Sequence, residues 1–135
     1  MTQIDHLGIA VKSLAEAKQF YERLGLEVVA EETVEAEKVR VAMVPVGESR
    51  IELLEPTVPD STIAKFLKKR GQGLHHVALH VTNLANTVER LKASGIRLIN
   101  EEIKVGAGGH RYVFVHPSSA GGVLLELVED AAHSG

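Results

Sequence analysis

The chain contains no cysteine and no tryptophan, and aromatic residues make up only 4% of its 135 positions. The first absence excludes a disulfide scaffold. The scarcity of aromatics, together with a formal charge of -3 and no basic stripe, leaves neither stacking platforms nor an electrostatic track for nucleic acid. No apolar run approaches the length of a membrane span. The opening "MTQIDHLGIAV" lacks a basic segment and a small-residue cleavage site, so a cytoplasmic location is the expectation. What is present, 44% apolar content over this length, suffices for one domain with a real core.

The most informative feature is an internal repeat. Shifted by 70 positions, "DHLGIAVKSLAEAKQFYERLGLEVV" lies over "HHVALHVTNLANTVERLKASGIRLI" without a gap. His6 then falls on His76, Leu14 on Leu84 and Gly25 on Gly95. In the first copy, alternation predicts a strand over Ile4 to Val11, and Ser13 with Glu16 forms a capping box for a helix. That helix would bury Leu14, Ala17, Phe20, Tyr21 and Leu24 and stop at Gly25. Strands are predicted at Glu27 to Glu32, Val39 to Val46 and Arg50 to Glu55.

The second copy reads alike: a strand from His75 to Val81, a helix from an Asn83 cap to a Gly95 stop, then strands at Arg97 to Asn100, Tyr112 to His116 and Val123 to Glu129. Between the copies, "DSTIAKFLKKRG" predicts a linker helix capped by Asp60 or Ser61 and ended by Gly71. The organisation expected is one α+β domain over residues 1–135. It comprises a strand–helix–three-strand module at 4–55, a linker helix within 56–73 and a second such module at 74–129.

The repeat carries chemistry with it. "RIELLEP" closes the first copy and "VLLELVED" the second, so each copy supplies one histidine and one glutamate, separated by 46 residues in His6 to Glu52 and by 50 in His76 to Glu126. In the strand "GLHHVALHV" only one histidine of the pair can share a face with Val77, Leu79 and Val81; His76 shares the other with Ala78 and His80, a lining suited to a cavity wall. Glu126 lies among leucines and a valine, where an unpaired carboxylate costs several kcal/mol, so it needs a cation, a donor network or a proton. Singly, each residue reads as an ordinary strand polar group. Their equivalence across the repeat points to a metal.

These residues, with "DHLGIAV", "IELLEPTVPDSTIAKFLKKRGQGLHHVALHV", "KVGAGGHRYVFVHP" and "GGVLLELVE", resemble the vicinal oxygen chelate superfamily, and within it the epimerase family that acts on methylmalonyl-CoA. The resemblance implies two βαβββ modules forming a cupped mixed sheet around a metal site. It implies His6, Glu52, His76 and Glu126 as ligands of a divalent ion, cobalt being favoured over zinc, manganese or nickel, and a homodimer. The reaction implied is proton removal beside the thioester of methylmalonyl-CoA, with Glu126 and Glu52 as bases on opposite faces of the carbon. The strand "KVRVAMVP" carries Arg40 where some relatives place an opposing glutamate, and an arginine is no base at neutral pH.

Lys65, Lys68, Lys69 and Arg70 are candidates for the coenzyme A phosphates. "GAGGH", from Gly106 to His110, reads as a loop over the pocket rather than a nucleotide fingerprint, and His110, His116 and His133 have no repeat-related partner with ligand character. The alternatives are a glyoxalase I-type lyase, an extradiol-type dioxygenase, disfavoured by a fourth protein ligand, and a non-catalytic drug-binding protein of the same fold.

Overall fold

The computed structural model describes residues 3–130, with only the backbone at 107. The chain forms two compact units, one from His6 to His75 and one from His76 onward together with residues 3–5. The first holds most of β1 (Gln3–Ala10), then α1 (Leu14–Arg23), β2 (Ala30–Val34), β3 (Val39–Val46), β4 (Ser49–Pro56) and α2 (Thr62–Arg70). The second holds most of β5 (Gly73–His80), then α3 (Leu84–Ala93), β6 (Lys104–Val105), β7 (Arg111–Val115) and β8 (Leu125–Glu129). None of these helices is long and apolar enough to cross a membrane.

The two units repeat one plan. Strands run β2-β3-β4-β1 in the first and β6-β7-β8-β5 in the second. In each the opening strand pairs in parallel with the closing one, β1 with β4 and β5 with β8, and the remaining pairings are antiparallel. The predicted mixed sheet is therefore present in both halves, and the linker helix α2 belongs with the first.

Alternation assigns each sheet two faces. In the first unit one face puts Val44, Leu53 and Ala42 against Leu14, Ala17 and Tyr21 of α1, and the other puts Ala10, Val41 and Leu54 against Ile63, Phe66 and Leu67 of α2. In the second, Val113, Val115 and Leu127 pack under Leu84, Val88 and Leu91 of α3, while the opposite face gathers Ala78, Tyr112, Phe114 and Val128.

The helix boundaries follow the predicted caps. Ser13 accepts from Glu16 N, Asn83 from Asn86 N and Ser61 from Ala64 N. Gly25, Gly71 and Gly95 take the positive φ that ends each helix. Glu55 adds a tie across elements, its carboxylate accepting from Leu14 N at 2.6 Å.

Four expectations need correction. Phe20 and Leu24 are 58% and 60% exposed rather than buried; Phe20 points about 120° around the helix from Leu14, off the face α1 presents to the sheet. The strand expected from Glu27 begins at Ala30, because Leu26 and Val28 are drawn into the core beneath α1 before the ladder starts. Arg97 to Asn100 makes one isolated bridge, Leu98 with Val115, and no strand. There the Asn100 side chain accepts from Phe114 N at 2.9 Å and Ser119 Oγ accepts from Arg97 N at 3.0 Å, taking N–H groups that a continuous ladder would have used. The last strand begins at Leu125, after a turn over Pro117 to Gly122.

Candidate metal centre

Each unit builds its own histidine–glutamate pair by the same device. In the first, the parallel register sets His6 beside Arg50 and Gly8 beside Glu52, so all four belong to one face. Gly8 has no side chain to fill the space next to the carboxylate. His6 and Glu52 are buried, at 3% and 5% exposure, and His6 Nδ1 lies 3.5 Å from Glu52 Oε2. In the second unit, Glu126 is registered with Ala78 on one side and Phe114 on the other. His76 and Glu126 are buried, and His76 Nε2 lies 3.0 Å from Glu126 Oε1.

The paired histidines of "GLHHVALHV" divide as alternation requires. His76 turns to the face of Ala78 and meets the edge of Phe114, ring centroids 5.5 Å apart. Half-buried His75 stands edge-on to Phe66 of α2 at 5.0 Å. Tyr112 follows Phe114 along the same face, with 5.6 Å between centroids. The two aromatics wall the His76–Glu126 pair, a role not assigned to them from the sequence although their two-residue spacing in a strand encodes it.

A second residue missed in the sequence is Arg50. Its Nε and Nη2 lie 2.8 Å and 2.7 Å from Glu52 Oε2, so Glu52 is held by a guanidinium as well as approached by an imidazole. The spacing R-x-E within a strand was the available signal, since it places the two side chains on one face.

Other candidates lie elsewhere. Arg40 is 55% exposed and pairs with Glu31 at 3.8 Å. The Glu31 carboxyl is held below the usual carboxylate range, first by a hydrogen bond from Lys18 at 2.7 Å. Lys65, Lys68, Lys69 and Arg70 are exposed on α2. His110 Nδ1 and His80 Nε2 approach Asp130 at 3.7 Å and 3.3 Å, and His116 accepts from Ser118 N. "GAGGH" is a tight connection from β6 to β7, with Gly108 and Gly109 at positive φ. His133 lies outside the described residues.

Each unit buries one imidazole beside one carboxylate, donor types that borderline divalent ions take. A sequence model of the glyoxalase/bleomycin resistance protein/dioxygenase superfamily matches residues 5–114. The chain belongs to this superfamily.

Relatives within the glyoxalase/bleomycin resistance protein/dioxygenase superfamily narrow the comparison. The mitochondrial methylmalonyl-CoA epimerase of Bos taurus is 42% identical over 127 residues, covering 93% of this chain and 73% of that one. A crystal structure of methylmalonyl-CoA epimerase from Mycobacterium tuberculosis is 41% identical with a TM-score of 0.91, over 96% of this chain and 88% of that one. A methylmalonyl-CoA epimerase in complex with methylmalonyl-CoA and NH4+ is 38% identical with a TM-score of 0.93, over 98% and 96% of the two chains.

Proposed function

We propose that this chain interconverts the two epimers of methylmalonyl-CoA by removing and returning the proton beside the thioester. The observation that carries the reading is the repeat-related placement of His6 with Glu52 and His76 with Glu126, each pair buried on the corresponding strands of its unit. Superfamily members of about 40% identity that are named for this reaction support it. In this reading the four residues hold one divalent ion, cobalt by preference, with zinc, manganese and nickel as alternatives. Burial argues for such an ion, since Arg50 brings one positive charge to two buried carboxylates. When bound, the ion would supply positive charge to a thioester oxygen as the α-proton leaves and would fix the substrate's orientation.

The residues of the chain then take separate roles. Glu126 is the base for the α-proton, on a face it shares with Tyr112 and Phe114. Glu52 exchanges the proton on the opposite face of the carbon, its carboxylate fixed by two Arg50 contacts on Oε2. It also holds the ion. Lys65, Lys68, Lys69 and Arg70, on the helix that packs against the His6–Glu52 face, are proposed to receive the coenzyme A phosphates. A homodimer, favoured by the edge strands β2 and β6, and a cytoplasmic location complete the reading.

The test is to supply a single epimer and follow its conversion to the epimer mixture by the change in circular dichroism. Catalysed epimerisation at the α-carbon is expected, with no turnover of the methylglyoxal–glutathione adduct. The reverse pattern would replace the epimerase by a glyoxalase, and activity toward neither would replace it by a binding protein.

A further inference from the structure

Arg50 is the feature of the site that the reaction does not yet explain. Its side chain is 21% exposed and its partner Glu52 7%, so water screens this pair far less than it screens Arg40 and Glu31, where the arginine is 55% exposed. Both Arg50 contacts, at 2.8 Å and 2.7 Å, fall on Oε2. Two guanidinium nitrogens thus meet the same carboxylate oxygen.

The consequence is one of charge. With Glu52 and Glu126 ionised, the proposed ligand set carries two negative charges, and an ion of charge two would neutralise it, leaving no net attraction for an anionic substrate. Arg50 returns one positive charge. We infer, resting on the epimerase reading above, that Arg50 is a charge-compensating residue that leaves the metal-loaded site one positive charge. That charge serves to bind a substrate carrying a free carboxylate beside its thioester. The same residue makes the empty ligand set less negative, so it weakens metal binding as it strengthens substrate binding. A residue that merely props Glu52 in place would strengthen both.

The experiment uses the full chain and four variants: R50M, R50K, E52Q and the double variant R50M/E52Q. Binding of Co2+ to the metal-free protein is measured by isothermal titration calorimetry, and KM for methylmalonyl-CoA at saturating Co2+; far-UV circular dichroism verifies folding. Loss of the Arg50 charge in R50M is expected to tighten Co2+ about tenfold and raise KM about tenfold. E52Q is expected to weaken Co2+ and not raise KM, and the double variant, with the wild-type charge, to return both constants to within about threefold. R50K keeps the charge and is expected to keep both constants, which supplies the test if R50M does not fold.

Weakened Co2+ binding in R50M that E52Q fails to rescue would overturn charge compensation in favour of simple support. So would unchanged constants in R50M. A wild-type protein that binds Co2+ in the expected order across the variants but does not epimerise would overturn the epimerase reading and leave the charge role of Arg50 supported. A wild-type protein that binds no Co2+ would overturn both.

Discussion

Replacing Glu126 by glutamine removes a base while keeping the shape that holds it. The residue is 8% exposed, with Oε1 3.0 Å from His76 Nε2. Glutamine presents both an acceptor and a donor at that position, so contact with the imidazole survives in either tautomer. The expected stability cost is therefore small, about 1 kcal/mol, the difference between a charge-assisted and a neutral hydrogen bond. The kinetic cost is much larger. A positioned general base contributes about 10²–10⁴-fold, equivalent to roughly 2.7–5.4 kcal/mol of transition-state stabilisation. The assay is turnover of each epimer separately at saturating Co2+, alongside thermal unfolding to verify the fold. The epimer whose α-proton faces Glu126 should lose the most. E126Q turning over both epimers at more than about a tenth of the wild-type rate, with its fold and metal intact, would refute the assignment of the base.

Three further outcomes follow from the same structure. Leu53 is fully buried beneath α1, and Leu53→Ala should destabilise the protein by about 2–5 kcal/mol in urea unfolding. Chelation should lower the unfolding temperature and re-addition of Co2+ should restore it. At an ion concentration 100 times Kd the stabilisation amounts to about 2.7 kcal/mol, and an unfolding temperature indifferent to the ion would count against a metal held by the native fold. Glu31, whose carboxyl lies below its ordinary range because of Lys18, contributes stability that is present above its unfolded-state pKa and lost as pH falls through the lower folded-state value. Because that pair is partly exposed, Glu31→Gln should cost about 0.5 kcal/mol or less at neutral pH, and the difference from wild type should vanish in acid.

The parts of this molecule legible from sequence were those specified by local rules. Caps at Ser13, Ser61 and Asn83 and stops at Gly25, Gly71 and Gly95 depend on hydrogen bonds and backbone angles within a few residues, and the structure places the helix ends accordingly. The histidine–glutamate pairs were visible because a repeat doubles a weak signal. What escaped depended on neighbours distant in the chain. Asn100 reads as the end of a strand until its side chain is seen taking the N–H of Phe114. Phe20 fits a helical apolar stripe, but the face that α1 buries is chosen by the sheet beneath it. Arg50 is the exception: R-x-E in a strand is a local signal, and what the structure adds is that the guanidinium turns to Glu52.

Proton NMR of methylmalonyl-CoA in deuterated water, with metal-loaded and chelator-treated protein, tests the central claim most directly. The account predicts loss of the α-proton signal with metal-loaded protein, well above the uncatalysed exchange, and little with the chelated sample. An α-proton that persists with every divalent ion supplied would contradict it.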